Sequence, residues 1–181
     1  KLKMGNALDE KSDIGAIISE EQLKRTLYYM DIAKKNSSTK ILHGGNQSKG
    51  GEYKDGFYYE PTLLSGLPVS SPVCQEEVFG PVACAIPFKS FDEVMKSAND
   101  TQFGLSAVLW TKDLSRALQF VDEIEAGFVQ VNQCVAPRAN VSYGGIKMSG
   151  LGKEYAFDSM MNHFTQSKTV LINRGKSNID V

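Results

Sequence analysis

The fold is decided by the run Leu-Ser-Ala-Val-Leu-Trp at positions 105–110 and by the segments on either side of it. The run is nearly all apolar, which predicts a strand buried on both faces. Strand patterns also occupy 82–88 and 128–131, and helical patterns occupy 90–98 and 113–125. Strand, helix, strand, helix, strand at this spacing predicts an α/β fold, with a mostly parallel sheet and helices on both faces.

The helix predicted at 113–125 has an apolar face, which we expect to point inward. Its members are Leu114, Ala117, Leu118 and Val121. Gly127 is predicted to end this helix, as a glycine just past a helix C-terminus commonly does. Ligands of parallel sheets bind beyond the carboxyl ends of the strands, so we expect chemistry in the loop that starts at Asn132.

An earlier helix begins with Ser-Glu-Glu-Gln at 19–22, the pattern of a capping box. In that motif the Ser19 oxygen accepts from an early helix N–H, and the Gln22 side chain reaches back to the cap. The helix should end near Asn36. Short strands are predicted at 41–42, 57–59 and 62–64, with a surface loop over 44–56.

The composition is that of an ordinary globular protein, with 181 residues, 41% hydrophobic residues and a formal net charge of −1. The near-zero charge gives no electrostatic footprint for nucleic acid or an anionic membrane. No apolar run is long enough to cross a bilayer, and no secretory pattern opens the chain. It begins at Lys1 without an initiator Met, which we interpret as an excised or truncated segment.

Cysteine and histidine usage argues against both disulfides and metal. The three cysteines, Cys74, Cys84 and Cys134, are an odd number, which indicates reduced thiols in the cytoplasm. No Cys/His spacing resembles a zinc site. Cys134 follows a predicted strand and is a possible nucleophile, but an unreactive loop thiol is the favoured interpretation. Cys74 and Cys84 suit packing.

Two features, a glycine cluster and a pair of glutamates, can each be interpreted as a functional site or as an ordinary structural feature. The glycine cluster at 144–152 could form a phosphate-binding loop, but its residue spacing does not match a Walker A motif. A local turn is therefore the favoured interpretation. Glu76 and Glu77 could be paired carboxylates for acid–base work. Adjacent extended residues point to opposite sides, which favours a solvated pair.

Two long segments stand out in the sequence. They are Cys-Gln-Glu-Glu-Val-Phe-Gly-Pro-Val at 74–82 and Tyr-Gly-Gly-Ile-Lys-Met-Ser-Gly-Leu-Gly-Lys-Glu at 143–154. Glu-Pro-Thr at 60–62 and Val-Asn at 131–132 accompany them. In this order the motifs resemble the C-terminal catalytic portion of NAD(P)-dependent aldehyde dehydrogenases, and the resemblance covers residues 5–172.

The resemblance implies roles for five residues. Glu77 would bind the ribose next to nicotinamide, and Phe79 would contact the nicotinamide region. Asn132 would lie near the active centre, and Tyr143 would line the aldehyde pocket, with 133–142 forming one of its walls. Arg138 in that wall either pairs with an anionic group of the substrate or points to solvent.

The resemblance also implies the chemistry, oxidation of an aldehyde to a carboxylic acid with NAD or NADP through a cysteine thioester. None of the three cysteines matches the family's nucleophile, so we expect the nucleophile and the Rossmann core to be absent from this chain and the chain to be inactive alone. No catalytic residue is assigned here. The alternative is a non-catalytic ligand-binding or assembly module derived from this fold.

The resemblance divides the chain into a catalytic-domain portion at 1–163, an oligomerisation strand at 164–173 and a polar tail at 174–181. That strand would pair with a neighbouring subunit in a homodimer or homotetramer. Unpaired, it would be an exposed edge that favours self-association. The expected partners are an aldehyde substrate and further copies of the chain, with no nucleic acid and no membrane.

Overall fold

The structure is a computed structural model that describes residues 2–172. The predicted polar tail at 174–181 lies outside the described residues. The chain divides into two compact units, Lys1–Ser97 and Ala98–Val181. Helices and strands alternate in both, so the predicted α/β class is confirmed.

The first unit is built on one long helix, α1, which spans Glu20–Lys35. Its N-cap is Ser19, whose Oγ accepts from the Gln22 backbone N at 3.2 Å, and its C-cap is Asn36. Both predicted ends are therefore confirmed. The predicted return of the Gln22 side chain to the cap is wrong, because no described hydrogen bond joins its oxygen to the Ser19 N–H. Its Nε2 instead donates to the carbonyl oxygens of Val78 and Phe79.

The remaining elements of the first unit are short. They are β1 (Lys40–His43), β2 (Gln47–Ser48), β3 (Tyr58–Tyr59), β4 (Thr62–Ser65), α2 (Pro72–Gln75) and β5 (Val82–Ala85). β4 is the central strand of a three-stranded sheet, antiparallel to β1 and parallel to β5. β2 and β3 form an antiparallel pair within the stretch that begins with the predicted loop.

The core of the first unit lies along one face of α1. Leu23, Met30 and Ala33 of that face are at most 4% exposed, and Leu64 of β4 is fully buried. The same cluster includes Val78, just before the end of a turn that leads into β5. Burial of a side chain of this size contributes ~1.5–3 kcal/mol.

Helix α3 (Phe91–Asn99) crosses the boundary between the units. The second unit continues with β6 (Phe103–Gly104), β7 (Ser106–Leu109), α4 (Leu114–Glu123), β8 (Phe128–Val131), β9 (Ile146–Lys147) and α5 (Phe157–Phe164). β7 and β8 pair in parallel on either side of α4, as the pattern predicts, and β6 pairs antiparallel with β9.

The sheet differs from the prediction in pairing and burial. Among the described strands, two pairs are parallel, β4–β5 and β7–β8, and the others are antiparallel. The prediction that 105–110 is buried on both faces is wrong, because Leu105 is 41% and Trp110 68% exposed. β7 has a single paired neighbour, so its sheet leaves an open edge.

Two expectations about α4 are also wrong. Its predicted inward residues Leu114, Leu118 and Val121 are all more than half exposed, and the buried residue of this helix is Phe120. Gly127 does not end the helix, because α4 stops at Glu123 with Ile124 as its C-cap. Gly127 instead allows a close approach, since a Cβ there would overlap the Gly144 carbonyl oxygen.

The oligomerisation strand predicted at 164–173 is not formed over its described residues, 164–172. Residues 165–172 have no regular secondary structure and are exposed. A strand needs a second backbone to satisfy its N–H and C=O groups, and within 2–172 no other segment pairs with this one. None of the helices described here is both long and apolar enough to span a membrane.

Candidate functional site

The 76–80 turn presents two of the predicted site residues. Glu77 and Phe79 are exposed, Phe79 to 70%, while Val78 between them is buried at 8%. Phe79 has a φ of 52°, a left-handed conformation that is uncommon for a residue other than glycine. The turn therefore buries its central side chain and leaves a carboxylate and an aromatic ring exposed on either side of it.

Side chains of α1 hold the backbone of this turn. Gln22 Nε2 donates to the carbonyl oxygens of Val78 at 3.1 Å and Phe79 at 2.7 Å. Arg25 Nε and Nη2 both donate to the carbonyl oxygen of Glu77, at 3.2 and 2.6 Å. Each carbonyl of residues 77–79 thus accepts a hydrogen bond from a side chain of α1, a role that the sequence pattern did not indicate for Gln22 or Arg25.

Glu76 and Glu77 have different environments. The Tyr29 hydroxyl donates to Glu76 Oε2 at 2.7 Å. That hydrogen bond, followed by burial, raises the pKa of Tyr29. The carboxylate of Glu77 has no hydrogen bond or ion pair to any described residue. The two carboxylates therefore differ in their contacts with described residues, and the Glu77 carboxylate is the one available to a ligand.

One sequence signal could have identified the anchoring residues. Gln22, Arg25 and Tyr29 lie at i, i+3 and i+7, which places them on one face of α1. A glutamine, an arginine and a tyrosine along one face form a row of hydrogen-bond donors. Their partners, however, are more than 45 residues away along the chain, and local spacing does not identify them.

Asn132 stands where the sequence predicts, directly after β8. Its Oδ1 accepts from the Thr111 backbone N at 2.8 Å, and its Nδ2 donates to the Thr111 carbonyl at 2.8 Å. The residue has a φ of 55°. Its amide thus ties the carboxyl ends of β7 and β8 together, a structural use that the sequence did not indicate.

Tyr143 lies in an aromatic cluster beside a cleft. Its ring meets those of Phe128 at 5.2 Å and Tyr155 at 6.1 Å between centroids, both edge to face. Two backbone hydrogen bonds join Tyr143 to Glu154. The cleft has a volume of about 350 Å³. Its lining includes Tyr143, Leu105, Glu154, His163 and several glycines of the 144–152 cluster.

The other predicted pocket residues do not line this cleft. Asn132 and Arg138 are absent from its described walls, and the 133–142 segment is mostly exposed. Arg138 is exposed, a position open both to solvent and to an anionic substrate group. The structure therefore brings together Tyr143 and the glycine cluster, while Asn132 is held at the strand end.

The contacts of two lysines bear on the predicted turn at the glycine cluster. Lys147 Nζ donates to the carbonyl oxygens of Asn99 at 2.8 Å and Thr101 at 3.1 Å, and it pairs with Glu125. Lys153 Nζ donates to the carbonyl oxygens of Gly144 at 2.7 Å and Gly127 at 3.3 Å. Both ammonium groups are occupied within the unit, which supports the turn interpretation.

The cysteine thiols in the first unit are poor nucleophiles. Cys74 and Cys84 hydrogen-bond one another at the edge of the core. Burial, followed by the neighbouring Cys74, raises the pKa of Cys84 to about 12, and burial raises that of Cys74. Since the thiolate is the reactive form, neither residue suits nucleophilic catalysis near neutral pH. Cys134 is exposed in the 133–142 segment.

Comparison with known proteins identifies the family. The aldehyde dehydrogenase family model matches residues 1–170. Aldehyde dehydrogenase B of Escherichia coli (strain K12) is 39% identical over 171 residues, which are 94% of this chain and 33% of that protein. Betaine aldehyde dehydrogenase of Mesorhizobium japonicum is 33% identical over 175 residues, 97% of this chain and 36% of that protein. The chain belongs to the aldehyde dehydrogenase family.

The fold agrees with this assignment. A crystal structure of betaine aldehyde dehydrogenase from Staphylococcus aureus in complex with NAD⁺ superposes with a TM-score of 0.88 and 31% sequence identity. The match covers 99% of this chain and 35% of that one. The chain thus spans about a third of the length of the relatives it matches.

Proposed function

We propose that this chain forms the part of an NAD(P)-dependent aldehyde dehydrogenase that contacts the nicotinamide riboside and one wall of the aldehyde pocket. The observation that carries the proposal is the 76–80 turn. Its backbone is fixed by α1, while the Glu77 carboxylate and the Phe79 ring are left exposed. A turn built only for packing would have no need to expose both.

The chemistry of the turn fits a nicotinamide cofactor. An ionised carboxylate only accepts hydrogen bonds, so Glu77 can receive both hydroxyls of a ribose. The Phe79 ring offers an apolar surface that excludes water next to a nicotinamide ring. When bound, NAD⁺ or NADP⁺ supplies the hydride acceptor of aldehyde oxidation. The contribution of this chain is to bind and orient the cofactor. The 76–80 turn contacts the nicotinamide riboside, which NAD⁺ and NADP⁺ share.

On the substrate side, Tyr143 and the 133–142 segment would line the aldehyde pocket. Tyr143 is held by two neighbouring rings and by backbone pairing with Glu154, so its position is well defined. Asn132 would support this region by fixing the end of β8. Arg138 would contact the substrate only if the aldehyde carries an anionic group.

We further propose that the nucleophile lies outside these 181 residues and that they have no dehydrogenase activity alone. The raised pKa values of Cys74 and Cys84 support this, as does the mismatch between all three cysteines and the family's nucleophile. We expect no NADH or NADPH above the blank when the chain is incubated with short aliphatic aldehydes, betaine aldehyde and either cofactor. Turnover that disappears in Cys134→Ser would contradict the proposal and identify that thiol as the nucleophile.

We propose that the protein assembles as a homodimer or homotetramer in the cytoplasm. The exposed 165–172 segment supports assembly, since it carries Val170, Leu171 and Ile172 at 63–93% exposure. The three free cysteines favour a reducing compartment. Light scattering should show a mass that rises with protein concentration, and the double change Leu171→Lys and Ile172→Lys should reduce the rise. A monomer at every concentration would contradict self-association.

A further inference from the structure

We propose that Gln22, Arg25 and Tyr29 of α1 are positioning residues that hold the 76–80 turn in its cofactor-binding geometry before any cofactor arrives. The inference rests on the proposed function of Glu77 and Phe79. It extends that function to three residues that act through the backbone and side chain of the turn.

Each of the three side chains hydrogen-bonds a different part of the 76–80 turn. Gln22 uses one amide nitrogen on two successive carbonyl oxygens, those of Val78 and Phe79. Arg25 uses two guanidinium nitrogens on the single carbonyl oxygen of Glu77. The Tyr29 hydroxyl donates to the Glu76 carboxylate, which holds that side chain against α1. The carbonyl groups of Glu77, Val78 and Phe79 are all held by side chains of α1 in this way.

The turn needs such support because its conformation is unfavourable by itself. Phe79 is held at a positive φ, which costs of order 1–3 kcal/mol for a residue other than glycine. Next to it, Gly80 lies so close to α1 that a Cβ would come within 2.5 Å of Thr26 Oγ1. Without the side chains of α1, the segment would relax to other conformations, and Glu77 and Phe79 would lose their fixed directions.

Arg25 is itself held in place, which makes it a rigid donor. Its guanidinium lies 5.4 Å from the centre of the Tyr29 ring, a cation–π distance. Its Nη2 also donates to the Tyr29 hydroxyl at 3.4 Å. Tyr29 is buried at 3% exposure, so the chain of contacts runs from the core through Tyr29 and Arg25 to the turn. The planar fork of arginine suits this two-donor contact better than a lysine.

The variants that test the inference remove the side-chain hydrogen-bond donors of Gln22 and Arg25 without weakening α1. Gln22→Glu keeps the size of the side chain and places an acid in the first turn of the helix, where it is favourable, but it cannot donate to the two carbonyls. Arg25→Met removes the donors and keeps the apolar stem. Lys24→Met is the matched control, because Lys24 lies on the same helix turn and pairs with Glu20 and not with the 76–80 turn.

Two measurements on the 181-residue chain test the inference. The first is the ¹⁵N order parameter of residues 77–79, which should fall from a rigid value of about 0.85 to below about 0.6 in Gln22→Glu and Arg25→Met. The second is the affinity for nicotinamide mononucleotide by saturation-transfer NMR, which should weaken about tenfold in both variants. Lys24→Met should change neither quantity, and Arg25→Lys should restore part of both.

The outcomes separate this inference from the proposed function. If the unsubstituted chain binds the mononucleotide and the variants keep its order parameters, the positioning role is overturned. It is also overturned if the turn becomes mobile while the affinity stays unchanged, since the contacts would then be merely structural. If the unsubstituted chain does not bind the mononucleotide, the proposed cofactor contact fails, and the inference falls with it.

Discussion

The two units bury very different amounts of apolar surface. Among the described residues, every buried hydrophobic side chain except Phe120 lies in the first unit. The second unit leaves Trp110, Leu114 and Leu118 at 58–73% exposure. The first unit therefore has a closed core around α1, whereas the second is held mainly by backbone pairing and polar contacts.

This difference bears on the two regions to which we assign functional roles, one in each unit. The 76–80 turn is fixed to α1 next to the closed core, which includes Tyr29 of the helix and Val78 of the turn, so its geometry rests on packing. The region around Tyr143 rests on close backbone approaches, such as that of Gly127 to Gly144, and on the contacts of Lys153 with both of those residues. Apolar truncations should therefore harm the first unit more than the second, whose tight point is the approach of Gly127 to Gly144.

The largest effect is expected from Leu64→Ala in the first unit. Leu64 is fully buried in the central strand β4, and its truncation leaves a cavity. We expect a loss of ~2–5 kcal/mol in the free energy of unfolding, measured by urea denaturation with far-ultraviolet circular dichroism. Leu118→Ala in the second unit removes the same atoms from a side chain that is 58% exposed. Its cost should stay within ~0.5 kcal/mol.

Equal costs for the two leucines would contradict the comparison. If Leu118→Ala were as costly as Leu64→Ala, the apolar face of α4 would be covered in solution, for example by a second copy of the chain. Repeating the Leu118→Ala measurement at several protein concentrations distinguishes these cases, because stability gained from association rises with concentration.

The sequence predicts local structure better than it predicts burial. Ser19 and Asn36 bound α1 as expected, because capping depends on residues a few positions apart. The apolar face of α4 was also correctly recognised as a pattern, yet Leu118 is exposed. Helical periodicity shows that a face is suited to burial, and it does not show what covers that face.

Long-range polar contacts were harder still to predict. The partner of Gln22 is 57 residues away, and nothing in the local pattern links that amide to Phe79. The same holds for Asn132, whose amide binds the backbone of Thr111. Glu77, Phe79 and Tyr143 were identified because their surrounding motifs resemble those of a family. Their roles there stay predictions until the cofactor and activity measurements are made.

A smaller effect is expected from Gly127→Ala in the second unit. The new methyl group would overlap the Gly144 carbonyl oxygen and crowd Lys153 Nζ, so both must move. We expect a loss of ~1–3 kcal/mol, followed by the fluorescence of Trp110, the single tryptophan of the chain. Gly152→Ala is the matched control, because its Cβ would meet nothing closer than 3.5 Å. If Gly127→Ala were as stable as the unsubstituted protein, Gly127 and the Gly144 carbonyl would be farther apart in solution than in the structure.

The smallest effect is an alkaline loss of stability that should be confined to the closed core. The unfolded thiol of Cys84 ionises near its ordinary pKa of 9.0, whereas burial holds the folded thiol protonated up to about 12. The resulting stabilisation is complete below a pH of about 9 and is lost as the pH rises toward 12. Cys74, whose pKa is also raised, acts in the same direction.

Substitution at Cys84 isolates this contribution. Tyr59, with a pKa raised by burial from 10.0 to about 12, adds its own loss only at higher pH. Between pH of about 9 and 10, Cys84→Val should therefore flatten the decline of the urea midpoint, while Cys134→Val at an exposed site should leave it unchanged. An identical slope in all three proteins would mean that the thiol of Cys84 is accessible to water. Water would then reach the core of the first unit more easily in solution than the structure indicates. The difference in apolar burial between the two units would be smaller.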